Sequence, residues 1–227
     1  MKGKRVQKKF DRNDGEIPEQ LKPLLKVHAK LTEPNLTATD IRARLHITQR
    51  QLNYMESVLY PGTCKKKATW RRYSIIDLLC IKVVKSIVKP ELPGAVIGIL
   101  FVSLKDWLEG DYTLLIDIAK GREIVVFFDH SNLIVQHIFV LPNEEKAYLK
   151  MVRSTRESYT AIFLGSILRK ELTKIATNDF SADIDEKTNK ITYKIEGEKI
   201  RIDEIPDNLY KELDKIKNMV KTSDSNG

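Results

Sequence analysis

Cysteine, glycine, proline and long apolar runs are all scarce in this chain. Two cysteines, Cys64 and Cys80, are too few for a disulfide framework or a zinc site. Ten glycines and eight prolines among 227 residues exclude collagen-like and low-complexity chains. The longest apolar run, residues 95–102, is far shorter than the roughly 20 residues that span a membrane. Residues 1–30 hold no apolar signal segment, so we expect a soluble, intracellular protein.

The chain also lacks the residue patterns of common catalytic and cofactor sites. It has no glycine-rich loop of the nucleotide-binding types. Three of its four histidines stand singly, without the spacing of metal ligands. Asp129 and His130 are adjacent, but no serine or cysteine arrangement accompanies them, so we interpret both as turn residues. The sequence therefore predicts no enzyme activity, no cofactor and no bound metal.

Positive charge is abundant, and it is concentrated in the first part of the chain. The whole chain has 39 basic and 31 acidic residues and a formal net charge of +8. Residues 1–90 hold 20 basic and 8 acidic residues, whereas residues 91–227 hold 19 and 23. Six of the first twelve residues are basic, as in a solvated arm. This asymmetry indicates that the N-terminal part meets a polyanion such as nucleic acid.

Two helix-start signals lie eleven residues apart in this basic part. Thr37 is followed three residues later by Asp40, and Thr48 is followed three residues later by Gln51. Each pair is a capping box, in which the two residues satisfy each other's free backbone N–H groups. The boxes therefore predict where two consecutive helices begin.

The spacing of the boxes predicts a helix of about two turns, a tight break at residues 46–47 and a longer helix over 49–59. Ser74 and Asp77 form a third box, which starts another helix of about four turns. This order is the plan of a helix-turn-helix, although a plain helical hairpin fits the same spacing. Residues 63–73, between the second and third helices, predict a small β-hairpin.

Four motifs in this region carry a resemblance to a known family. They are Thr39-Asp40-Ile41 through Leu45; Ile47-Thr48; Gln51-Leu52-Asn53-Tyr54-Met55-Glu56; and Trp70-Arg71-Arg72-Tyr73-Ser74 with Asp77-Leu78. In this order they resemble the winged helix-turn-helix of the MerR family of bacterial transcription regulators. The resemblance covers residues 36–90, about a quarter of the chain.

The resemblance implies a way of docking on double-stranded DNA. The helix that starts after Thr48 would enter the major groove, and Tyr73 would pack the wing onto the helices. Arginine suits phosphates and guanine, while asparagine and glutamine suit adenine. The candidate DNA-binding residues are Arg42, Thr48, Gln49, Arg50, Asn53, Tyr54, Lys65, Lys66, Lys67, Arg71 and Arg72.

This chain departs from the family pattern at several points. Asn53 stands where the family usually has arginine, and Met55 stands where it usually has an aromatic residue. The hairpin is longer than usual. The long dimerisation helix that usually follows the DNA-binding part is missing from the sequence. Dimerisation and promoter untwisting are therefore not carried over from the resemblance.

The remainder of the chain predicts a mixed domain. Residues 94–108 are apolar on nearly all sides, which indicates a buried helix ended by Gly110. Three apolar, β-rich runs predict an antiparallel meander: 113–118, 123–128 and 133–140. The other expected elements are helices near 143–152 and 165–177, a strand near 159–164, a hairpin of 191–195 with 199–202, and a helix over 207–221.

These signals predict an α+β protein with an N-terminal winged helix-turn-helix, made of three helices plus a wing hairpin. A mixed domain with an antiparallel β meander and helices follows it. The expected parts are 1–34, a basic arm with a short helix around 19–31; 35–90, the DNA-binding domain; 91–178, an α+β domain; and 179–227, a hairpin and C-terminal helix.

The predicted function is sequence-specific binding to double-stranded DNA by a cytoplasmic, nucleoid-associated transcription regulator. An architectural or recombination accessory protein, or an adaptor that binds proteins rather than DNA, is the alternative. The last helix places an apolar stripe on one side, which suits a core, a docking surface or a short homodimer seam. Whether the C-terminal part dimerises or binds a small-molecule or protein effector stays open. The stripe is Leu209, Leu213, Ile216 and Val220.

Overall fold

The computed structural model describes residues 18–59, 71–87, 94–129, 134–154, 159–210 and 212–213. Within these ranges the helices are α1 (Lys22–Thr32), α2 (Ala38–Leu45), α3 (Gln49–Leu59), α4 (Ile75–Ile87), α5 (Gly94–Gly110), α6 (Tyr112–Ala119), α7 (Glu145–Ser154) and α8 (Leu164–Thr173). The strands are β1 (Glu123–Asp129), β2 (Ile134–Leu141), β3 (Tyr159–Phe163), β4 (Phe180–Ile184), β5 (Ile191–Ile195) and β6 (Glu198–Ile200). Helices beside two small antiparallel sheets confirm the predicted α+β class.

The first two capping boxes form as the sequence predicts. The Thr37 hydroxyl accepts from the Asp40 backbone N–H at 3.2 Å, and the Asp40 carboxylate accepts from the Thr37 N–H at 2.7 Å. Thr48 and Gln51 exchange the same two bonds at 3.2 and 2.8 Å. Between the two helices, His46 has a left-handed backbone with φ of 52°. The predicted helix starts and the tight break between them are therefore confirmed.

The third box is buried and has an additional partner. The Ser74 backbone N–H donates to the Asp77 carboxylate at 2.9 Å, and the Asp77 N–H donates to the Ser74 hydroxyl at 3.0 Å. Lys105 of α5 pairs with the same carboxylate. Because α5 packs against both α3 and α4, this ion pair lies where the helix-turn-helix region meets the rest of the chain. Asp77 thus fixes the start of α4 and binds α5.

One hydrophobic core joins helices α1 to α6 and α8 with both sheets. The apolar side of α1 is fully buried, and this helix packs against α4, α6 and β5. The same cluster of buried side chains extends from Leu21, in a short 3₁₀ turn before α1, to Leu213. The predicted helix around 19–31 is confirmed. The predicted domain boundary at residue 90 lies outside the described residues. Helix α4, which precedes this boundary, packs directly on α5, which follows it.

The helix predicted for 94–108 is confirmed, and it ends at Gly110 as expected. Its burial is one-sided rather than complete. Phe101, Leu104 and Leu108 are buried, while the side chains of Ile99 and Val102 are exposed. The described part of α5 therefore has one core face and one apolar face open to solvent.

The strand predicted for residues 113–118 is wrong, because these residues belong to α6. The Asp111 carboxylate accepts from the backbone N–H groups of Thr113 and Leu114 at 3.0 and 3.3 Å, which caps a helix there. Every residue of α6 except Thr113 is buried. A helix surrounded by core carries no polar face, so its sequence shows no helical period and looks like a strand.

The predicted meander is wrong in one of its three strands. Strands β1 and β2 are antiparallel neighbours, as predicted, but the third strand of their sheet is β3. The spatial order is β2-β1-β3, so the two outer strands flank β1 and are joined through α7. The predicted helix near 143–152 and the predicted strand near 159–164 are both confirmed as α7 and β3.

The second sheet has the order β4-β5-β6. The turn between β5 and β6 contains Glu196 and Gly197, both with positive φ, as the predicted hairpin requires. Strand β4 was not predicted; it buries Phe180 and Ala182 against β5. The preceding helix α8 ends at Thr173, four residues before the predicted end at 177.

The predicted C-terminal helix is described only at its start. Residues Asp207–Leu209 form a 3₁₀ turn, and residues 210, 212 and 213 are helical. Leu213 is buried in the core and Leu209 packs against it. The first half of the apolar stripe is therefore core in this chain, and residues 214–221 lie outside the described residues.

The buried box predicts a stability difference between two matched substitutions. We expect Asp77→Ala to lower the free energy of unfolding by about 2–4 kcal/mol, because it removes a cap and the buried partner of Lys105. Asp40→Ala, in a half-buried box without a described ion pair, is expected to cost about 1 kcal/mol. Urea unfolding of both variants measures the difference. Equal losses would show that the Lys105 contact adds nothing.

Candidate nucleic-acid interface

The predicted recognition helix α3 presents a polar face to solvent. Leu52 is buried, while Gln49, Arg50, Asn53 and Tyr54 are all exposed, Tyr54 to 63%. In an α-helix, residues three or four apart share a face, so these side chains line one side of α3. The local sequence explains the arrangement, because the apolar positions are placed for one core-facing stripe.

Two side chains of this face are bound to each other. The side-chain amide N–H of Gln49 donates to the Oδ1 atom of Asn53 at 2.7 Å. The two residues are four apart, which places them one turn from each other along α3. Both amides keep further donors and acceptors that face solvent.

Arg50 differs from several cations in the second part of the chain. Within the described residues, Arg50 has no ion pair or side-chain hydrogen bond, and its side chain is exposed. In contrast, Arg122 pairs with Asp117 and Asp207, and Arg169 pairs with Glu123. The charge of Arg50 is therefore available to an anionic partner.

Arg42 is turned toward its own helix. Its guanidinium donates to the Thr39 hydroxyl at 3.3 Å, and its Nε atom is buried without a described partner. The side chain is half-buried rather than extended into solvent. Of the candidate residues on α2 and α3, Arg42 is thus the one whose charge is least exposed.

The C-terminal end of α2 is held by a lysine from α4. Lys85 donates from its Nζ atom to the backbone carbonyl of Leu45 at 3.0 Å. A cation at this position satisfies a free carbonyl and matches the negative end of the helix dipole. The two residues are forty positions apart, so no local sequence pattern indicates this contact.

Tyr73 connects residues 71–73 to α3 and to the chain just before α2. Its backbone exchanges two hydrogen bonds of 2.9 Å with Leu36, the residue before the first capping box. Its ring is fully buried, and its hydroxyl donates to the Glu56 carboxylate of α3. Burial, and then the hydrogen bond to Glu56, raise the pKa of Tyr73 well above its usual value. The hydroxyl therefore stays protonated and keeps donating.

Arg71 and Arg72, the two arginines predicted to lie on the wing, adjoin Tyr73. The Arg71 guanidinium lies 5.7 Å from the centre of the Tyr73 ring, within cation–π distance. Arg72 is exposed and donates to the backbone carbonyl of Asn35 at 3.4 Å. The hydrogen bonds from Thr37, together with the positive charges of Arg44 and Arg72, lower the pKa of Asp40. Arg72 is therefore fixed close to the start of α2.

The structure thus brings most of the candidate residues onto connected elements. The exposed face of α3 and the arginine pair are linked through the contact between Glu56 and Tyr73. Lys65, Lys66 and Lys67, together with the predicted hairpin, lie outside the described residues. Cys80 is buried in α4, and burial raises the pKa of its thiol.

Comparisons with known proteins return no relative. No family model matches the chain, and neither a curated protein nor a solved structure matches it. Among the described helices, none has both the length and the apolar character needed to cross a bilayer. The described residues also contain no group of three or more His, Cys, Asp or Glu side chains placed to hold a metal ion.

The anchoring role of Tyr73 predicts a contrast between two buried tyrosines. Tyr73→Phe removes a hydrogen bond to a carboxylate and is expected to cost about 1.5–3 kcal/mol of stability. The Tyr193 hydroxyl is buried without a described partner. Tyr193→Phe is therefore expected to leave stability unchanged or raise it by up to about 1 kcal/mol. Thermal and urea unfolding measure both, and a costless Tyr73→Phe would contradict the anchor.

Proposed function

We propose that this chain is a sequence-specific duplex DNA-binding protein that acts as a transcription regulator. The observation that carries the proposal is the exposed polar face of α3, which is joined to Arg71 and Arg72 through Glu56 and Tyr73. The resemblance of residues 36–90 to the MerR winged helix-turn-helix supports the same function. The proposal involves no catalytic step.

The face of α3 suits the major groove in shape and chemistry. An α-helix fits the width of this groove, and each base pair presents a distinct set of donors and acceptors there. Gln49 and Asn53 offer amide groups, and Arg50 offers a guanidinium that has no ion pair among the described residues. Amides and guanidinium are the groups that most often bind base edges directly. These side chains would therefore determine which sequence is bound.

Arg71 and Arg72, which lie beside Tyr73, suit the phosphate backbone. Arg72 is exposed and is held near the start of α2 by its bond to Asn35. Phosphate contacts position a protein on DNA without selecting its sequence. In this proposal Arg71 and Arg72 bind phosphates beside the groove, and Lys65, Lys66 and Lys67 extend the same contact. The excess of basic over acidic residues in 1–90 attracts this part of the chain to DNA of any sequence.

The remaining part of the protein would carry the regulatory input. In this proposal the protein acts in the cytoplasm at the nucleoid, and its C-terminal part forms a homodimer or binds a small-molecule or protein effector. The shared core supports such coupling, because α5 contacts α3 while α6 and α8 contact the sheets. The residues of α5 beyond its core face, Ile99 and Val102, are exposed apolar positions.

The decisive experiment is selection of bound fragments from randomised duplex DNA by the purified full chain, at roughly physiological salt. Enrichment of one sequence motif is expected. Retention without a motif would replace the regulator by an architectural protein. No retention above a basic control protein would overturn DNA binding and favour an adaptor that binds proteins. An inverted repeat would further indicate a dimer.

The contact classes predict two different mutant effects. We expect Arg71→Ala and Arg72→Ala to weaken binding to all duplexes alike and to reduce the salt slope by about one unit each. Arg50→Ala is expected to change the preferred sequence instead. Lys150→Ala, an exposed cation on α7, is the control and should change neither.

Binding measured by fluorescence anisotropy at several salt concentrations distinguishes the two classes. A wing variant that binds every duplex with unchanged affinity would refute the assigned phosphate contacts. An Arg50 variant with an unchanged motif would remove α3 as the source of specificity.

A further inference from the structure

The hydrogen bond between Gln49 and Asn53 restrains two neighbouring amide groups. A side-chain amide has an oxygen that accepts and a nitrogen that donates, and it can rotate by half a turn. Gln49 donates its N–H to the Oδ1 atom of Asn53 at 2.7 Å. Reversing the Asn53 amide alone would place two NH₂ groups face to face, so the two amides can reverse only together. The bond therefore couples the two amides and restrains rotation of the Asn53 side chain.

The restrained Asn53 amide still presents both a donor and an acceptor. A carbonyl oxygen has two lone pairs, so the Oδ1 atom of Asn53 can accept a second hydrogen bond. Its NH₂ group is not used in the contact with Gln49 and has two protons to donate. Both residues are exposed, so this edge is open to a ligand.

This donor–acceptor edge is complementary to adenine. In the major groove adenine presents N7, which accepts, next to its N6 amino group, which donates. Guanine presents two acceptors, and cytosine presents one donor. An amide edge with one donor and one acceptor satisfies both groups of adenine at once but leaves an unmatched group against guanine. A polar group that is left unpaired at a contact without water costs free energy, and this cost disfavours the wrong base.

We propose that Asn53 selects an adenine in the bound sequence and that Gln49 is the positioning residue that holds the Asn53 amide for this contact. The inference rests on the proposed DNA-binding function and adds the identity of one base. It also assigns a role to a position where this chain departs from the MerR pattern. Asn53 forms the base contact itself, and Gln49 acts through Asn53.

The experiment compares four full-length proteins on the selected DNA. They are the unchanged chain, Asn53→Ala, Gln49→Leu and Asn208→Ala, the last in an exposed turn outside the helix-turn-helix. Each is titrated against the selected site and against sites in which one adenine is replaced by each other base. The unchanged chain is expected to prefer one adenine by roughly 5- to 150-fold, the range of a good bidentate pair.

Asn53→Ala should abolish the preference at that position and retain the preferences at all others. Gln49→Leu should weaken the preference at the same position only, because the amide is then free to rotate. Asn208→Ala should behave as the unchanged chain. Since both α3 positions are exposed, unfolding curves are expected to stay close to those of the unchanged chain.

A fourth variant tests the chemistry by exchanging the amide for a carboxylate. Asn53→Asp presents only acceptors, which match the cytosine N4 amino group rather than adenine. We expect the preferred base at this position to change from adenine to cytosine, although overall affinity falls through repulsion from phosphates. The order of the four bases is therefore the readout.

The outcomes separate the two proposals. Absence of any selected motif would overturn both the DNA-binding function and this inference. A motif whose base preferences survive Asn53→Ala would overturn this inference and leave the function intact. If Gln49→Leu alters a different position, Gln49 contacts a base directly and is not a positioning residue.

Discussion

The candidate interface depends on the placement of Tyr73. Its backbone pairs with Leu36, its hydroxyl donates to Glu56, and the Arg71 guanidinium lies against its ring. Because the ring is fully buried, it cannot shift without opening a cavity in the core. One side chain thus determines how residues 71–73 are oriented relative to α3. Any contact that α3 and the arginines make with the same ligand requires this geometry.

The second constraint is the core that the helix-turn-helix region shares with the rest of the chain. Helix α1 precedes the first capping box, yet it packs against α6 and β5 of the later part. Lys105 of α5 pairs with Asp77, the residue that caps α4. The two parts are therefore joined by packing and by a buried charge pair. A ligand on the later part can influence α3 through these contacts only by shifting packed helices.

Local signals predicted the helix starts at the capping boxes well, while elements defined by burial were harder to predict. All three capping boxes form, because a box involves residues only three positions apart and needs no distant partner. The polar face of α3 also follows directly from helical spacing. The contacts of Glu56 with Tyr73 and of Lys85 with Leu45 join distant segments, so no local pattern indicates them. The hydrogen bond between Gln49 and Asn53 could be predicted from the sequence, because residues four positions apart in a helix are neighbours.

By itself, the sequence determined where the helices with capping boxes begin, which side of each amphipathic helix is apolar, and that positive charge is concentrated before residue 90. These properties depend on neighbours along the chain. The tertiary structure alone decided that residues 112–119 are a helix and that β3, not this segment, completes the first sheet. A segment buried on every side has no polar face to show its period, so its conformation is set by what packs around it. Tyr73 bonds to Glu56 and Leu36, which are distant along the chain, so only the tertiary structure shows these contacts.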